Sequence, residues 1–345
     1  MHILGLANGT PSGNSEILLK AALTAATEAN STITTSWIHV PSISIPTNPA
    51  PLDSPVGFDL ASKLNVASNN APDDRAAVRE AILDADAIIV STPTYSHQPL
   101  GTLKLLMDRI GGPALDVTFG KTFNPDKLDP RLSKPRVLGF IAVGGSSTPD
   151  QFTMVLPTLH LLFYALHAKT VDQFIGQDLG SSGAVCLHDD LISRAKRMGQ
   201  NIASQIGKSY DDATYQGDEE AGACPHCHLS KIEFLPDHGK NAIGCTTCGT
   251  RGNLTVSPDG NILPVWEEES KWSCLTWAGK LQHSYDIISW AKRDEPRKAD
   301  IKKGQEEWKK VVVSQVTLPS QDKSSSRFLN ILYVETRLID SLYDK

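Results

Sequence analysis

The sequence lacks an apolar run long enough to span a membrane and an excess of positive charge, and its first ten residues lack the pattern of a secretory signal. Its longest apolar stretch, residues 155–168, is interrupted by His160 and His167 and is shorter than the ~20 apolar residues that span a bilayer. Lys and Arg number 33 against 39 Asp and Glu, a net charge of −6, which argues against a nucleic-acid or anionic-membrane binder. Residues 1–10 carry neither a basic region nor a long apolar core. We therefore expect a cytoplasmic protein with no nucleic-acid or membrane partner.

Cysteine is also scarce, with six residues in a chain of 345. This number does not make a disulfide scaffold, and four of the six lie in two C-x2-C pairs, Cys224 with Cys227 and Cys245 with Cys248. Residues 228–244 separate the pairs, and two tight turns of this kind supply four thiolates to one tetrahedral ion. We predict a structural Zn²⁺ site, with a redox-active iron tetrathiolate as the alternative.

The chain does have a regular alternation of strand-like and helix-like segments, over roughly its first 208 residues. Buried apolar runs predict strands at 2–7, 32–40, 85–93, 137–145 and 170–175. Patterns of helical period predict helices at 15–29, 73–85, 101–111, 149–168 and 188–207. Such β-α alternation is typical of a parallel sheet with helices on both faces.

Changes in composition along the chain predict its division into domains. Residues 1–208 form the predicted α/β domain, and the acidic residues 209–222 are predicted to be a linker. Residues 223–270 hold the four cysteines and short strand-like segments, and residues 271–345 are predicted to be a helical extension. Within the first domain, the Pro-rich residues 41–73 and residues 112–135 are predicted to be long loops over a binding site.

The turn after the first strand, NGTPSGNS, is a candidate anion site. Backbone N–H groups at a helix N-terminus, together with the hydroxyls of Thr10, Ser12 and Ser15, would hold a phosphate without a lysine. The string is neither the P-loop of nucleotide hydrolases nor the G-x-G-x-x-G fingerprint of dinucleotide-binding domains. An ordinary strand-to-helix turn is the alternative, because it is also rich in Gly, Pro, Asn and Ser.

The segment LGLANGTPSGNSEILLKAAL, followed by ADAIIVSTPTYSHQPLGTLKLLMDRIG, resembles the flavodoxin-like NADPH-dependent FMN reductases. The resemblance covers residues 1–207 and implies a doubly wound α/β fold with a five-stranded parallel sheet in the order 2-1-3-4-5. The stretch CTTCGTRGNL and residues 277–283 are similar to a branch of these reductases with a C-terminal zinc ribbon. This similarity implies a ribbon around the four cysteines, followed by a helical tail.

The resemblance also implies which residues hold FMN, at the carboxyl ends of parallel strands where open α/β sheets bind ligands. The phosphate would be contacted by Thr10, Ser12, Asn14 and Ser15. The isoalloxazine ring would be lined by Pro93, Thr94, Tyr95, Ser96 and His97. Its pyrimidine side would be approached by Gly144, Gly145 and Ser146. Many relatives carry an arginine in the phosphate loop, and this sequence has none there.

Tyr95 and His97 are the candidate catalytic residues of the ring loop. Tyr95 is expected beside the flavin, and His97 is expected to supply a proton to the reduced substrate. The alternatives are a surface tyrosine and a histidine of which only the backbone matters.

We therefore expect an FMN-dependent NAD(P)H oxidoreductase whose acceptor is a small organic molecule: a quinone, an enone, an azo or nitro compound, or free flavin. Nicotinamide and acceptor would alternate at the same flavin face, because the sequence has no second dinucleotide fold. The enlarged loops favour a dedicated substrate in a specialised pathway. The alternatives are a tailoring enzyme without net NAD(P)H turnover, a flavodoxin-like electron carrier, and a scaffold that has lost FMN. Relatives bury the flavin at a dimer interface, which implies a homodimer or a higher homo-oligomer.

Overall fold

Five parallel strands form the central sheet of the structure, a computed structural model that describes residues 1–46, 72–111, 115–314 and 316. The parallel strands are β1 (His2–Ala7), β2 (Thr34–His39), β3 (Ala87–Tyr95), β5 (Val137–Val143) and β6 (Lys169–Gly176), and β4 (Gln98–Pro99) is a short antiparallel strand beside β3. Their spatial order is β2-β1-β3-β5-β6. Numbered along the chain, this is the 2-1-3-4-5 order that the resemblance implied.

Helices cover both faces of this sheet. They are α1 (Asn14–Ala29), α2 (Arg75–Asp84), α3 (Gly101–Ile110), α4 (Val117–Phe123), α5 (Val155–Phe163) and α6 (Asp189–Gln205). Successive side chains of a strand point to opposite faces, and β1 accordingly sends Leu4 and Leu6 into the cluster under α2, α3 and α5. Its Ile3 packs in the second cluster, under α1 and α6.

Close contact between α1 and α6 depends on one glycine. A Cβ at Gly199 would lie 2.0 Å from the carbonyl oxygen of Ala22, so a side chain at this position is excluded unless the helices separate. The contact holds α1, and with it the loop between β1 and α1, against α6, which itself packs on β5 and β6.

Two predicted segments differ from the structure. Residues 115–135 are not a plain loop, because they contain α4 and 3₁₀ turns at Pro125–Lys127 and Pro130–Ser133. The predicted helix 149–168 is divided into a 3₁₀ turn at Pro149–Phe152, then α5, then a 3₁₀ turn at Tyr164–Leu166. Pro157 lacks an N–H group and is tolerated only in the first turn of a helix, which explains why α5 begins at Val155. Residues 47–71 of the predicted Pro-rich loop lie outside the described residues.

The cysteine-rich segment forms a second, antiparallel sheet in the order β10-β9-β8-β7. Its strands are β7 (Ile232–Phe234), β8 (Ala242–Cys245), β9 (Arg251–Val256) and β10 (Ile262–Trp266), and the helices α7 (Trp277–Asp294) and α8 (Lys298–Lys309) follow. One compact unit extends from Met1 to Ile287, and Ile288 begins a second. None of the helices in the described ranges is long and apolar enough to cross a membrane.

Candidate functional site

An open cavity of about 220 Å³ lies where β1, β3, β5 and β6 end. Its walls are Thr10, Asn14, Ser15, Pro93, Thr94, Tyr95, Val143, Gly144, Gly145, Leu179, Gly180, Ser181 and Ser182. Every one of these residues is uncharged. The cavity brings together the three loops predicted from the sequence and adds a fourth, the loop after β6. The other predicted residues, Ser12, Ser96, His97 and Ser146, are not part of these walls.

The first loop presents a helix N-terminus to the cavity. Gly13 is the N-cap of α1 and, having no side chain, leaves the first amides of the helix uncapped. Ser15 is buried and lines the cavity, and its hydroxyl makes no hydrogen bond to the residues that the structure describes. Uncapped amides and a free hydroxyl together are the donor set that an anion requires.

The first turn of α1 also carries a carboxylate, Glu16, which is not among the residues that line the cavity. Glu16 accepts a hydrogen bond from the backbone N–H of Ser12 at 3.0 Å and pairs with Lys20 at 2.5 Å. The hydrogen bond from the Lys20 ammonium lowers the pKa of Glu16, so its side chain stays ionised. Lys20 also lies over the Trp37 ring, 4.7 Å from its centroid, and is therefore engaged outside the cavity.

Asn14 has a structural role that the sequence did not reveal. Its amide nitrogen donates to the carbonyl oxygens of Leu179 (3.3 Å) and Ser181 (2.8 Å), and its amide oxygen accepts from the N–H of Val185 (3.0 Å). Its side chain thus fastens the loop after β6 to the start of α1.

The second loop is a tight hairpin between β3 and β4. Its central residues, Ser96 and His97, both have left-handed backbone conformations (φ of 48° and 68°), as a two-residue turn between antiparallel strands requires. Tyr95 stands at the rim of the cavity with 58% of its surface exposed. The Thr94 hydroxyl is buried and has no hydrogen-bond partner within the described part of the chain.

The His97 side chain forms a hydrogen bond with the loop that follows β5. Its Nδ1 lies 2.9 Å from the backbone oxygen of Asp150. A carbonyl oxygen accepts only, so Nδ1 carries the hydrogen, and Nε2 of the neutral ring is an acceptor.

The third loop needs both of its glycines. A Cβ at Gly144 would lie 2.6 Å from the ring of Phe152, and one at Gly145 would lie 2.9 Å from Cα of Gly180. Ser146 turns its hydroxyl towards Thr148, at 3.0 Å between the two oxygens. Both glycines also line the cavity, to which they present backbone and no side chain.

The four cysteines of the predicted metal site converge at one point. Their sulfur atoms all lie within 4.8 Å of one another, with 3.5 Å between Cys224 and Cys248 and between Cys227 and Cys245. All four side chains are buried. Four sulfurs at about 2.3 Å from a tetrahedral zinc are separated by about 3.8 Å, so this donor set fits such an ion.

The cysteine-rich segment is joined to the α/β part through Gln173 of β6. The Gln173 amide nitrogen donates to the backbone oxygen of Cys227 at 2.8 Å, and its amide oxygen pairs with Nε2 of the buried His160 at 2.9 Å. His228 does not join the cysteine sulfurs, because it stacks on Tyr215 and pairs with Glu219 through Nδ1 at 2.7 Å.

Comparison with known proteins finds similarity along most of the chain. Residues 1–176 match the family described as NADPH-dependent FMN reductase. Flavone synthase cfoJ of Aspergillus candidus is 33% identical over 294 residues, which cover 83% of this chain and 88% of that protein. An iron-sulfur flavoprotein of Methanocaldococcus jannaschii is 24% identical over 217 residues, 60% of this chain and 97% of its own. A solved structure named flavone reductase has the same fold, with a TM-score of 0.70 at 24% identity over 92% of this chain and 100% of its own.

Proposed function

The chain belongs to the NADPH-dependent FMN reductase family, and from this premise we propose that the cavity at the carboxyl ends of the strands is its FMN site. The protein is an NAD(P)H-dependent FMN oxidoreductase that acts on a small organic molecule. FMN held there would supply two-electron transfer from NAD(P)H to that acceptor.

The residues of the cavity fit FMN. The buried, unpartnered hydroxyl of Thr94 lacks a hydrogen bond that a ligand would supply, and a buried polar atom without one is costly. Gly144 and Gly145 line the cavity with backbone alone, which permits the close approach of a flat ring. The uncapped start of α1 supplies donors to a phosphate.

Each loop has one task in this arrangement. Thr10, Ser15 and the first amides of α1 hold the phosphate. Pro93, Thr94 and Tyr95 line the ring, and Gly144 with Gly145 reaches its pyrimidine edge. Ser12, Asn14, Ser96 and Ser146 shape the loops through their backbones and local hydrogen bonds.

His97 is the proposed proton donor, and its hydrogen bond restricts how it acts. Because Nδ1–H is engaged by the Asp150 oxygen, a proton delivered to the acceptor has to leave Nε2 of the protonated ring. Tyr95 at the cavity rim supplies an aromatic surface for a flat substrate.

A flavone-type molecule is the proposed substrate. One relative is named a flavone synthase and the similar solved structure a flavone reductase, and flavone contains an enone, one of the acceptor classes expected from the sequence. The synthase is the more similar in sequence, which favours a tailoring enzyme that works in the oxidising direction as the second candidate. In that case, the two electrons removed from the substrate would reduce the bound FMN, and this half-reaction would consume no NAD(P)H.

We further propose that the cysteine-rich segment is a zinc ribbon. The chain would then belong to the branch of the family that carries such a ribbon. The converging sulfurs of Cys224, Cys227, Cys245 and Cys248 support it. The proposed division is residues 1–208 for the FMN domain, 209–222 for the linker, 223–270 for the ribbon and 271–345 for the extension. We also expect a homodimer or a higher homo-oligomer.

Anaerobic assays with flavone and flavanone test the substrate and the direction. FMN-loaded protein is mixed with flavone and NADPH, or with flavanone alone, and the products are separated by liquid chromatography and mass spectrometry. Flavone consumed with NADPH supports the reductase. Flavanone converted to flavone while FMN is reduced supports the tailoring enzyme. If neither reacts, while quinones or azo compounds are reduced rapidly, the flavone-type substrate is wrong.

A further inference from the structure

We propose that the loop after β6, residues 180–183, forms the second wall of the phosphate subsite and that the Ser182 hydroxyl donates a hydrogen bond to the FMN phosphate. This inference rests on the proposed function, because it requires FMN in the cavity. It assigns a binding role to the Gly-Ser-Ser-Gly segment that follows β6.

The Ser182 hydroxyl faces the phosphate loop. Its Oγ lies 3.3 Å from Oγ1 of Thr10. A Cβ at Gly13 would lie 2.4 Å from the Thr10 hydroxyl and 3.3 Å from that of Ser182, so both hydroxyls stand over the first residues of α1. Hydroxyl hydrogens rotate freely, and both groups can therefore turn towards one anion placed at the helix start.

Hydrogen bonds from the Asn14 side chain hold this wall in place. Asn14 fastens residues 179–185 to the start of α1 through three hydrogen bonds of 2.8 to 3.3 Å. These bonds use both donors of its amide and occupy the amide oxygen, so the side chain offers no further N–H to a phosphate. The Ser182 hydroxyl can donate to the phosphate instead, and it lies in the segment that Asn14 holds in place.

Charge makes this extra donor important. The cavity walls contain no cation among the described residues, and the nearby Lys20 is paired with Glu16. The phosphate would then be held by backbone amides and by the hydroxyls of Thr10, Ser15 and Ser182. The Thr94 hydroxyl, which lines the same cavity and is buried without a partner among the described residues, independently indicates a ligand there. Hydrogen bonds to an ionised acceptor are about twice as strong as neutral ones.

Titration of the apoprotein with FMN and with riboflavin tests this assignment, because the two ligands differ only in the phosphate. Binding is followed by quenching of flavin fluorescence, with no turnover involved. Ser182→Ala is expected to weaken FMN binding by about tenfold. Riboflavin binding should change by less than about twofold, and Ser182→Thr, which keeps the hydroxyl, should retain FMN affinity. Ser204→Ala, on the exposed side of α6, is the matched control.

The outcomes separate this inference from the proposed function. If the wild-type protein binds FMN more tightly than riboflavin and Ser182→Ala changes neither affinity, the role of Ser182 is wrong and the FMN site stands. An equal loss of FMN and riboflavin affinity in Ser182→Ala would also overturn it, since the serine would then act on loop structure. If the wild-type protein binds neither flavin, the FMN site fails and this assignment fails with it.

Discussion

Nδ1 of His97 lies 2.9 Å from the backbone oxygen of Asp150 and thereby joins two loops of the cavity, the β3–β4 hairpin and the segment after β5. The bond orients the imidazole and fixes which nitrogen is free. The side chain that is proposed to donate a proton is thus also an anchor between loops, and a useful variant has to separate these roles.

The substitution His97→Asn separates them. Asn tolerates the left-handed conformation that His97 adopts and keeps an N–H donor, but it cannot deliver a proton. We expect acceptor reduction to slow by about a hundredfold, while FMN reduction by NADPH is nearly unchanged. Stopped-flow measurement of the two half-reactions is the test, with the exposed His238→Asn as control. Equal acceptor rates in wild type and variant across about pH 5 to 9 would show that His97 is not the donor.

Thr94→Val is expected to have opposite effects with and without FMN. Replacing a buried, unpartnered hydroxyl by a methyl group removes an unsatisfied polar atom, so the free energy of unfolding of the apoprotein should rise by about 1 kcal/mol. The hydroxyl is also a proposed FMN contact, so the increase in Tm on adding FMN should shrink. Thermal unfolding with and without FMN measures both effects, with Thr255→Val in β9 as control. An unchanged FMN-induced shift would exclude Thr94 from the site.

Cys245→Ser is expected to abolish metal binding at the four-cysteine cluster. The purified wild-type protein should contain about one zinc per chain, and the variant almost none, because a structural site needs all four ligands. Elemental analysis and far-UV circular dichroism measure metal content and the folding of the antiparallel sheet. The exposed Cys186→Ser should keep its zinc. Iron in place of zinc would support the tetrathiolate alternative, and no metal in the wild-type protein would remove the ribbon from the proposal.

Lys280 should make stability depend on pH. It is buried, with Nζ 3.1 Å from Nδ1 of His167, and burial lowers its pKa to about 7, with Asp116 and Cys274 only partly opposing the shift. Burial also lowers the pKa of His167, to about 3, so the imidazole is neutral and accepts the bond. In the unfolded chain, lysine keeps its proton up to about pH 10.4. Between about pH 7 and 10 the unfolded state therefore binds more protons, and the free energy of unfolding rises with pH.

Lys280→Met removes this contribution. Its stability relative to the wild type should be greatest near pH 7 and below, and the advantage should shrink as the pH approaches about 10. Urea unfolding at several pH values gives the slope, and the exposed Lys196→Met is the control. A variant with the wild-type slope would mean that Lys280 does not hold the lowered pKa.

The strands and the ends of three of them could be predicted because their signals are local, whereas the strand order was implied by the family resemblance. Buried apolar runs end at Asn8-Gly9, at the Pro93–His97 hairpin and at Gly144-Gly145, and each of these ends becomes a wall or rim of the cavity. The single long helix predicted over 149–168 was wrong. Its apolar pattern continues on both sides of Pro157, but Pro157 has no N–H group, and this restricts where a helix can begin.

The fourth wall could not be predicted from local signals. Gly180–Gly183 has the composition of an ordinary turn, and it becomes part of the cavity because Asn14, far away in sequence, binds Leu179, Ser181 and Val185. The unpartnered state of the Thr94 hydroxyl is likewise a property of packing. A Gly-Ser-Ser-Gly string after the last parallel strand was the signal available in the sequence.

The visible absorption spectrum of the purified protein, recorded before and after anaerobic addition of NADPH, tests the central claim most directly. FMN bound in the cavity predicts a flavin band in the protein as isolated or after adding FMN, and the family's chemistry predicts that NADPH bleaches it rapidly. A flavin band that persists with NADPH would contradict nicotinamide-driven turnover and leave the tailoring enzyme or the electron carrier. No flavin band, even after adding FMN, would contradict the FMN site itself.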